Sequence, residues 1–317
     1  MDDQQDRPCS INATINPKYL IGCHDDYIAT ADSTYLTRLI ERFNYEAMNI
    51  SPMLKEFNSY SLNRIDYCVN FDLAELGIDC VPEIYMALIK RADIPPHFEE
   101  RKEYVKDDGG GKFHRKKSGA DSFFLINNSL RINCYNKYAQ MKRKDPDNPN
   151  LENYRNIVRF EIQYRYPKIL YLKNQTKDWD TFVDLMSILQ SDEVCKNELT
   201  KYYNKTIGKG DYYTLDGARS RIRSMNFCAS KESRLMGALK LVNQCRGVFR
   251  AKNSLTGAEL AEFKRSLRDL GEIGVNPVTI PREGNIKYLP NLMSAYLIQA
   301  EETQRQFEEY YHKPYFG

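Results

Sequence analysis

Three segments of this chain set acids, amides and bases at every second position. Arg64-Ile65-Asp66-Tyr67-Cys68-Val69-Asn70-Phe71-Asp72 puts Arg64, Asp66, Asn70 and Asp72 on one side of an extended strand and Ile65, Tyr67, Val69 and Phe71 on the other. Leu130 to Lys137 sets Arg131, Asn133, Tyr135 and Lys137 against Leu130, Ile132 and Cys134, and Asn156 to Tyr166 sets Arg159, Glu161, Gln163 and Arg165 against Val158, Phe160 and Ile162. If the apolar sides share a core, the polar sides share a surface. Asp66 and Glu161 then offer hard oxygen ligands to one Mg²⁺ or Mn²⁺, an ion that binds through one or two carboxylates plus water and substrate phosphate. Asn70 and Asp72 are further ligand candidates. Arg131, Lys137, Arg159 and Arg165 would draw a phosphate, or equally neutralise the two acids as salt bridges. The plainer alternative is a solvated polar face, which any half-exposed sheet carries.

A second chemical signal is charge. The 317 residues carry a net +3, yet residues 217–252 hold nine Lys or Arg and one acid, Glu232, so this segment alone is +8 and the remainder −5. Such a concentration is the electrostatic footprint of nucleic-acid binding, and it nominates Arg219, Arg221, Arg223, Lys240, Arg246 and Arg250, with Ser220, Ser224 and Gln244 suited to phosphates or bases. A merely solvated helical face is the rival reading. Lys112, Arg115 and Lys116 add a basic patch after three glycines at 109–111.

The elements that must position these groups follow from periodicity. Residues 34–46 carry Tyr35, Leu36, Leu39, Ile40 and Phe43 at helical spacing, and Pro82 opens a helix through Arg91. From Pro95 to Ser118 the period is lost, which predicts an exposed, mobile, basic loop. Ser122–Ile126 and Leu130–Lys137 read as strands joined by Asn127-Asn128, and Asn156–Tyr166 as another after a Pro/Asn/Asp-rich linker at 144–154. Helices are predicted at 178–190, 193–203, 215–224, 230–245, 256–270 and 291–311, with a hairpin of Val275–Ile280 and Asn285–Leu289 flanking residues 281–284. The fold class expected is α+β: a mostly antiparallel sheet with helices on one face in residues 1–176, then a mainly helical, winged-helix-like DNA-binding region in 177–317.

Composition narrows the class. With 42% hydrophobic, 28% charged and 12% aromatic residues the chain can build a core, which excludes disorder as its main state. No stretch approaches the roughly 18 apolar residues of a membrane span, and the amino terminus MDDQQDRPCS is acidic and polar, so a cytoplasmic protein is expected, with no membrane partner. Its eight scattered cysteines form no C-x-x-C pair and read as reduced thiols. Gly208-Lys209-Gly210-Asp211 lacks the phosphate-loop spacing and reads as a connection between helices.

Taken in order, Asn63-Arg64-Ile65-Asp66, Leu130-Arg131-Ile132-Asn133-Cys134-Tyr135-Asn136-Lys137 and Val158-Arg159-Phe160-Glu161-Ile162-Gln163 resemble the replication initiation factor family of rolling-circle plasmids, whose relatives include conjugative-transposon relaxases and, more distantly, filamentous-phage gene II proteins. The resemblance spans roughly residues 60–175. It implies a relaxase-like palm that nicks one strand of an origin through a tyrosine and a divalent ion, Mg²⁺ or Mn²⁺, leaving a 5′-phosphotyrosine and later rejoining the ends. It also implies Asp66 and Glu161 as metal ligands, Lys137 as a base near the scissile phosphate or the acids, and Tyr171, ten residues beyond Glu161, as nucleophile. Tyr202, Tyr203, Tyr212 and Tyr213 are competitors for that role. Single- and double-stranded DNA at a replication or transfer origin, a host helicase and a second copy of the chain are the implied partners. His24, His97, His114 and His312 are isolated, so the His-hydrophobic-His metal motif of other nickases is missing. A relaxase using the same chemistry and a DNA-binding protein without catalysis are the alternatives.

Overall fold

The computed structural model describes residues 11–21, 33–100, 103–106, 113–116, 119, 121–175, 182–189, 191–282 and 285–311. In chain order the elements are α1 (Pro17–Leu20), α2 (Ser33–Ile50), β1 (Arg64–Asp72), α3 (Pro82–Ile89), β2 (Glu99–Glu100), β3 (Glu103–Lys106), β4 (Phe113–Lys116), β5 (Ser122–Ile126), β6 (Leu130–Asn136), α4 (Lys137–Lys144), β7 (Ile157–Arg165) and α5 (Tyr166–Gln175). The carboxy-terminal part continues with α6 (Phe182–Leu189), α7 (Asp192–Thr206), β8 (Tyr212–Tyr213), α8 (Leu215–Ser224), α9 (Ala229–Gln244), α10 (Val248–Asn253), α11 (Gly257–Glu272), β9 (Tyr288–Leu289) and α12 (Leu292–Tyr311). The protein is α+β.

The chain forms two compact units, residues 1–61 with 177–194 and residues 62–176 with 195–317. One break falls at the expected 176/177, but the chain rejoins the sheet at residue 195, so the helices beyond it belong with the sheet and residues 1–61 do not. In the smaller unit Leu36, Leu39 and Ala47 of α2 and Leu185, Met186 and Leu189 of α6 are buried. Phe43 meets Phe57 and Tyr60 edge-on at 5.3 and 5.5 Å, and the Phe57 amide donates to Asn44 Oδ1 at 2.8 Å.

The larger unit is built on a five-stranded antiparallel sheet in the order β1-β7-β6-β5-β2. Alternation decides its two faces, as the sequence implies: Tyr67, Val69, Phe71, Leu130, Ile132, Cys134, Val158, Phe160 and Ile162 are buried on one side. Tyr203 of α7 lies edge-on to Phe71 and Phe160 at 5.8 and 5.2 Å, Tyr296 of α12 meets Phe71 at 6.0 Å, and Tyr67 meets Tyr164 at 5.3 Å. Edge-to-face packing suits the ring quadrupoles, and burying a side chain of this size is worth about 1.5–3 kcal/mol. The Asn127-Asn128 turn holds because Asn127 Oδ1 accepts from the Ser129 and Leu130 amides at 2.8 and 2.7 Å.

Several expectations need correction. The stretch 95–118 is not wholly loop: β2 pairs with β5, and β3 pairs with β4 in the register Glu103↔Lys116 to Lys106↔Phe113. Lys137 does not end a strand but begins α4, because the Asn136 side chain caps that helix by accepting from the Ala139 amide at 3.1 Å. α5 and α10 form where no helix was expected. The segments 275–280 and 288–289 do not pair with each other among the described residues. Both flank the stretch Asp211–Thr214, the first through bridges Asp211↔Val275 and Thr214↔Ile280 and the second as β9 against β8, so the expected hairpin of a winged helix is replaced by a shared central strand.

Candidate active site on the polar face of the sheet

β7 lies between β1 and β6, and its polar residues define three rows across the face. Gln163 sits between Asp66 and Arg131, Glu161 between Cys68 and Asn133, and Arg159 between Asn70 and Tyr135. Asp66 and Glu161 are therefore diagonal neighbours, a placement that sets side-chain origins about 7 Å apart. The structure brings together Asp66, Glu161, Arg131, Arg159 and Lys137 as the sequence predicts. It also adds Cys68, paired with Glu161 across the strands, whose thiol burial pushes up.

Each carboxylate is engaged. Glu161 Oε2 accepts from Tyr135 Oη at 2.6 Å and faces Arg159 Nε at 3.5 Å, while Arg159 also donates to Asn70 Oδ1 at 3.3 Å. Asp66 takes both Nε (2.9 Å) and the terminal nitrogen of Arg64, and Gln163 donates to it at 3.3 Å. Tyr135 is buried, and burial pushes its phenol well above the ordinary tyrosine value. Lys137 Nζ lies 5.8 Å from the ring centres of both Tyr135 and Tyr154 and donates to Gln140 Oε1 at 2.9 Å. Its ammonium is pushed down to about 8, first by burial and then by Arg159. Arg165 stands at the exposed end of the face, opposite Arg64, and donates to the Asn128 carbonyl at 3.3 Å.

Donor chemistry decides whether a hard cation fits here. Asn133 Oδ1, beside Glu161, is buried and has no hydrogen-bond partner, a costly arrangement that a cation or a donor on a ligand would relieve. With Glu161 it sets a carboxylate and an amide oxygen side by side, and Asp66 stands diagonally across on β1, a donor set suited to an ion that keeps waters and takes substrate oxygens. The described residues contain no cluster of three or more His, Cys, Asp or Glu placed to cage a metal. Asp72 is not part of such a set: its Oδ1 caps the turn after β1, accepting from the Ala74 and Glu75 amides.

Tyr171 is not in contact with these acids. It lies on α5, 56% exposed, with Lys168 Nζ 4.8 Å over its ring, and Lys168 also sits 5.5 Å over Tyr164, whose ring belongs to the helix-packed face. α5 leaves the sheet at Arg165, the end where Arg64 and then Asp66 stand on β1. The competitors Tyr202, Tyr203 and Tyr212 are buried, and burial raises each phenol, that of Tyr202 to about 12. Tyr213 packs against Tyr288 with the ring centres 5.2 Å apart and the planes tilted by 52°.

The basic residues are distributed unevenly. Arg221 and Arg223 are exposed on α8 with Arg219 half-exposed beside them; Arg219 and Arg223 bridge to Asp216 and Glu232 at 3.2 and 2.9 Å. Lys240 is exposed on α9, Arg250 on α10, and Arg246, with φ 56°, in the turn between them. Two neighbours in the same segment serve packing instead: Arg234 donates to Ser266 (2.8 Å) and Asp269 (2.5 Å) of α11, and Lys252 pairs with Asp93 at 2.8 Å. Arg115 and Lys116 lie on β4, and Lys112 lies outside the described residues. Gly208–Asp211 is a packed connection, not a ligand loop: Asn291 donates to the Gly208 and Gly210 carbonyls, and a Cβ on Gly210 would meet the Val275 backbone at 2.2 Å.

His97 is exposed. No described helix is long and apolar enough to cross a membrane, and Cys68, Cys80, Cys134, Cys195, Cys228 and Cys245 are free thiols. No protein-family model, curated protein or solved structure matches the chain.

Proposed function

We propose that this protein nicks one strand of DNA at an origin by transferring a backbone phosphate to a tyrosine, as a rolling-circle replication initiator does. The observation that carries the reading is the polar face, where Asp66 and Glu161 stand within a frame of Arg64, Arg131 and Arg159 on three paired strands, with Lys137 at the start of α4 beside them. A surface of two acids among four cations is suited to a phosphodiester, because its charge can take the place of a carboxylate as partner of the cations.

Tyr171 is our nucleophile on grounds of access. A buried phenol gives up its proton less readily, which disfavours Tyr135, Tyr202, Tyr203 and Tyr212, whereas Tyr171 is exposed beside the Lys168 ammonium. In the step itself, Tyr171 Oη bonds to phosphorus as the bond to the 3′ oxygen breaks. The phenolic proton passes to solvent and the departing oxygen regains one, leaving a 5′-phosphotyrosine and a 3′-hydroxyl. One phosphodiester replaces another, so the step reverses without a nucleotide cofactor. Mg²⁺ or Mn²⁺ held by Asp66 and Glu161, with Asn133 Oδ1 at hand, would supply charge withdrawal from the phosphate. Arg131, Arg159 and Lys137 would hold the non-bridging oxygens, and Tyr135 would fix the Glu161 rotamer through its 2.6 Å hydrogen bond. The strand would cross the Arg64–Arg165 end of the sheet to meet Tyr171, while the basic surface of α8 to α10 takes the duplex.

The neutralised state of both carboxylates favours a second reading, a DNA-binding protein in which the face is a scaffold. Single-stranded origin-derived oligonucleotides with Mg²⁺ or Mn²⁺ separate the two. Wild type should form a protein–DNA adduct that survives a denaturing gel, and Tyr171→Phe and Glu161→Ala should abolish it. An adduct that persists in Tyr171→Phe moves the nucleophile elsewhere. No adduct with cognate DNA leaves the binding-only reading. A conjugative relaxase would pass the same test and differ in the transfer origin it cuts.

A further inference from the structure

Beyond the face itself, the segment 137–155 alternates rings and cations in space. Arg155 Cζ lies 5.4 Å from the centre of the Tyr138 ring and Lys142 Nζ 5.9 Å from the same centre. Lys137 Nζ stands 5.8 Å from Tyr154 and from Tyr135, whose hydroxyl reaches Glu161 at 2.6 Å. Asn136 caps α4, and α4 packs on the 3₁₀ turn Leu151–Tyr154, so two short elements hold this run in place. Its outer end is open to solvent, with Lys142 exposed and the Arg155 side chain 63% exposed; its inner end is the carboxylate of the candidate site.

We propose that α4 and the 3₁₀ turn form a ledge that binds single-stranded DNA and leads it to the polar face, a reading that rests on the nicking function above. Single-stranded nucleic acid is held by stacking its bases on aromatic and guanidinium planes and its phosphates on cations, and the ledge presents both in alternation. Tyr138 and Arg155 offer the stacking surface, and Lys142 and Lys137 flank it for successive phosphates. Glu152 does not close the site. It takes the Arg155 Nε–H at 2.6 Å and the Tyr138 hydroxyl at 3.4 Å, fixing the orientation of both and leaving the terminal guanidinium nitrogens to face a phosphate. Because duplex bases are stacked on each other, this arrangement selects unpaired strands, and it complements the basic helices without repeating their role.

The test is binding of the full chain to a fluorescent oligothymidylate in chelator, so that no cleavage contributes. Arg155→Gln and Lys142→Gln should each weaken binding roughly fivefold and each flatten the slope of log affinity against log salt by about 0.7. Tyr138→Leu should weaken it roughly tenfold, whereas Tyr138→Phe, which keeps the ring, should not. Arg42→Gln is the matched control, since Arg42 stacks on Tyr45 at 5.3 Å in the smaller unit, and it should leave binding unchanged. Equal melting temperatures across the variants exclude loss of the fold. Wild-type binding that all three ledge variants retain, with an unchanged salt slope, overturns the ledge even if the phosphotyrosine adduct forms. Loss of binding in these variants supports it even if no adduct forms, in which case the nicking reading falls alone.

Discussion

The two faces of one sheet each carry a tyrosine hydroxyl bonded to a glutamate, with a lysine near the ring. On the helix-packed face Tyr164 donates to Glu198 of α7, which also takes Lys201 at 2.7 Å, and Lys168 lies over the Tyr164 ring. On the polar face Tyr135 donates to Glu161, with Arg159 and Lys137 beside them. The partners are alike, but their origins differ. Glu198 comes from a helix and ties it to the sheet, so the first pair works as a clamp. Glu161 comes from the neighbouring strand, which hydrogen bonds of the ladder already hold, so the second pair adds nothing the fold lacks. What it achieves is a carboxylate fixed in one orientation on a half-exposed surface, next to the unpartnered Asn133 oxygen.

Substitutions can break that contrast. Phe160→Ala, at a ring buried between the two layers and edge-on to Tyr203, should cost about 3–5 kcal/mol in equilibrium denaturant unfolding, because it opens a cavity that packed rings cannot fill. Glu198→Gln should destabilise by about 1–3 kcal/mol, since it removes the charged partner of a buried hydroxyl and of Lys201, and should leave adduct formation intact. Glu161→Gln should do the reverse, with unfolding midpoints close to wild type and adduct formation lowered by roughly 100-fold or more. Equal effects of the two Gln variants on stability and on adduct would erase the distinction drawn between the faces.

The smallest expected effect sharpens the comparison through pH. Lys137 is pushed down to about 8 by burial and Arg159, with Lys144 acting the same way and Glu161 and Cys68 opposing. The folded value lies below the usual lysine value of 10.5, so between these two the unfolded chain binds the extra proton and stability rises with pH. The charge available to a phosphate moves the other way and falls as pH passes 8. Single-strand affinity should therefore drop a few-fold between pH 7 and 9 in wild type and stay flat in Lys137→Arg, as measured by anisotropy titration in chelator.

How far the sequence anticipates this depends on where the information lies. Strands with strict alternation were legible to within a residue, because a one-residue slip would invert every side chain, and that is why Asp66, Glu161, Arg131 and Arg159 meet as expected. α4 was not legible because Arg131, Asn133, Tyr135 and Lys137 continue the strand period across the boundary, and only the Asn136 cap marks the change. α5 carried a clue, Pro167 in its first turn, that the apolar run Ile169-Leu170 obscured. The hairpin of β3 and β4 hides behind short, charged strands on either side of the triple glycine. The break at 176/177 was legible, but the return of the chain to the sheet at residue 195 was not, for a different reason. A helical period says that Tyr203 faces something apolar, but not that this something is Phe71 and Phe160, more than forty residues earlier.

The bond from Tyr85 Oη to the Pro290 carbonyl, at 2.9 Å, and the contact of Phe71 with Tyr296 set an order on the making of the protein. A ribosome that has released α3 must add some two hundred residues before the partner of Tyr85 exists. Until then the apolar side of the sheet has no α12 against it. The growing chain spends that interval with part of this aromatic surface uncovered, so limiting chaperone supply during synthesis should lower the yield of folded protein even though the finished fold is unchanged.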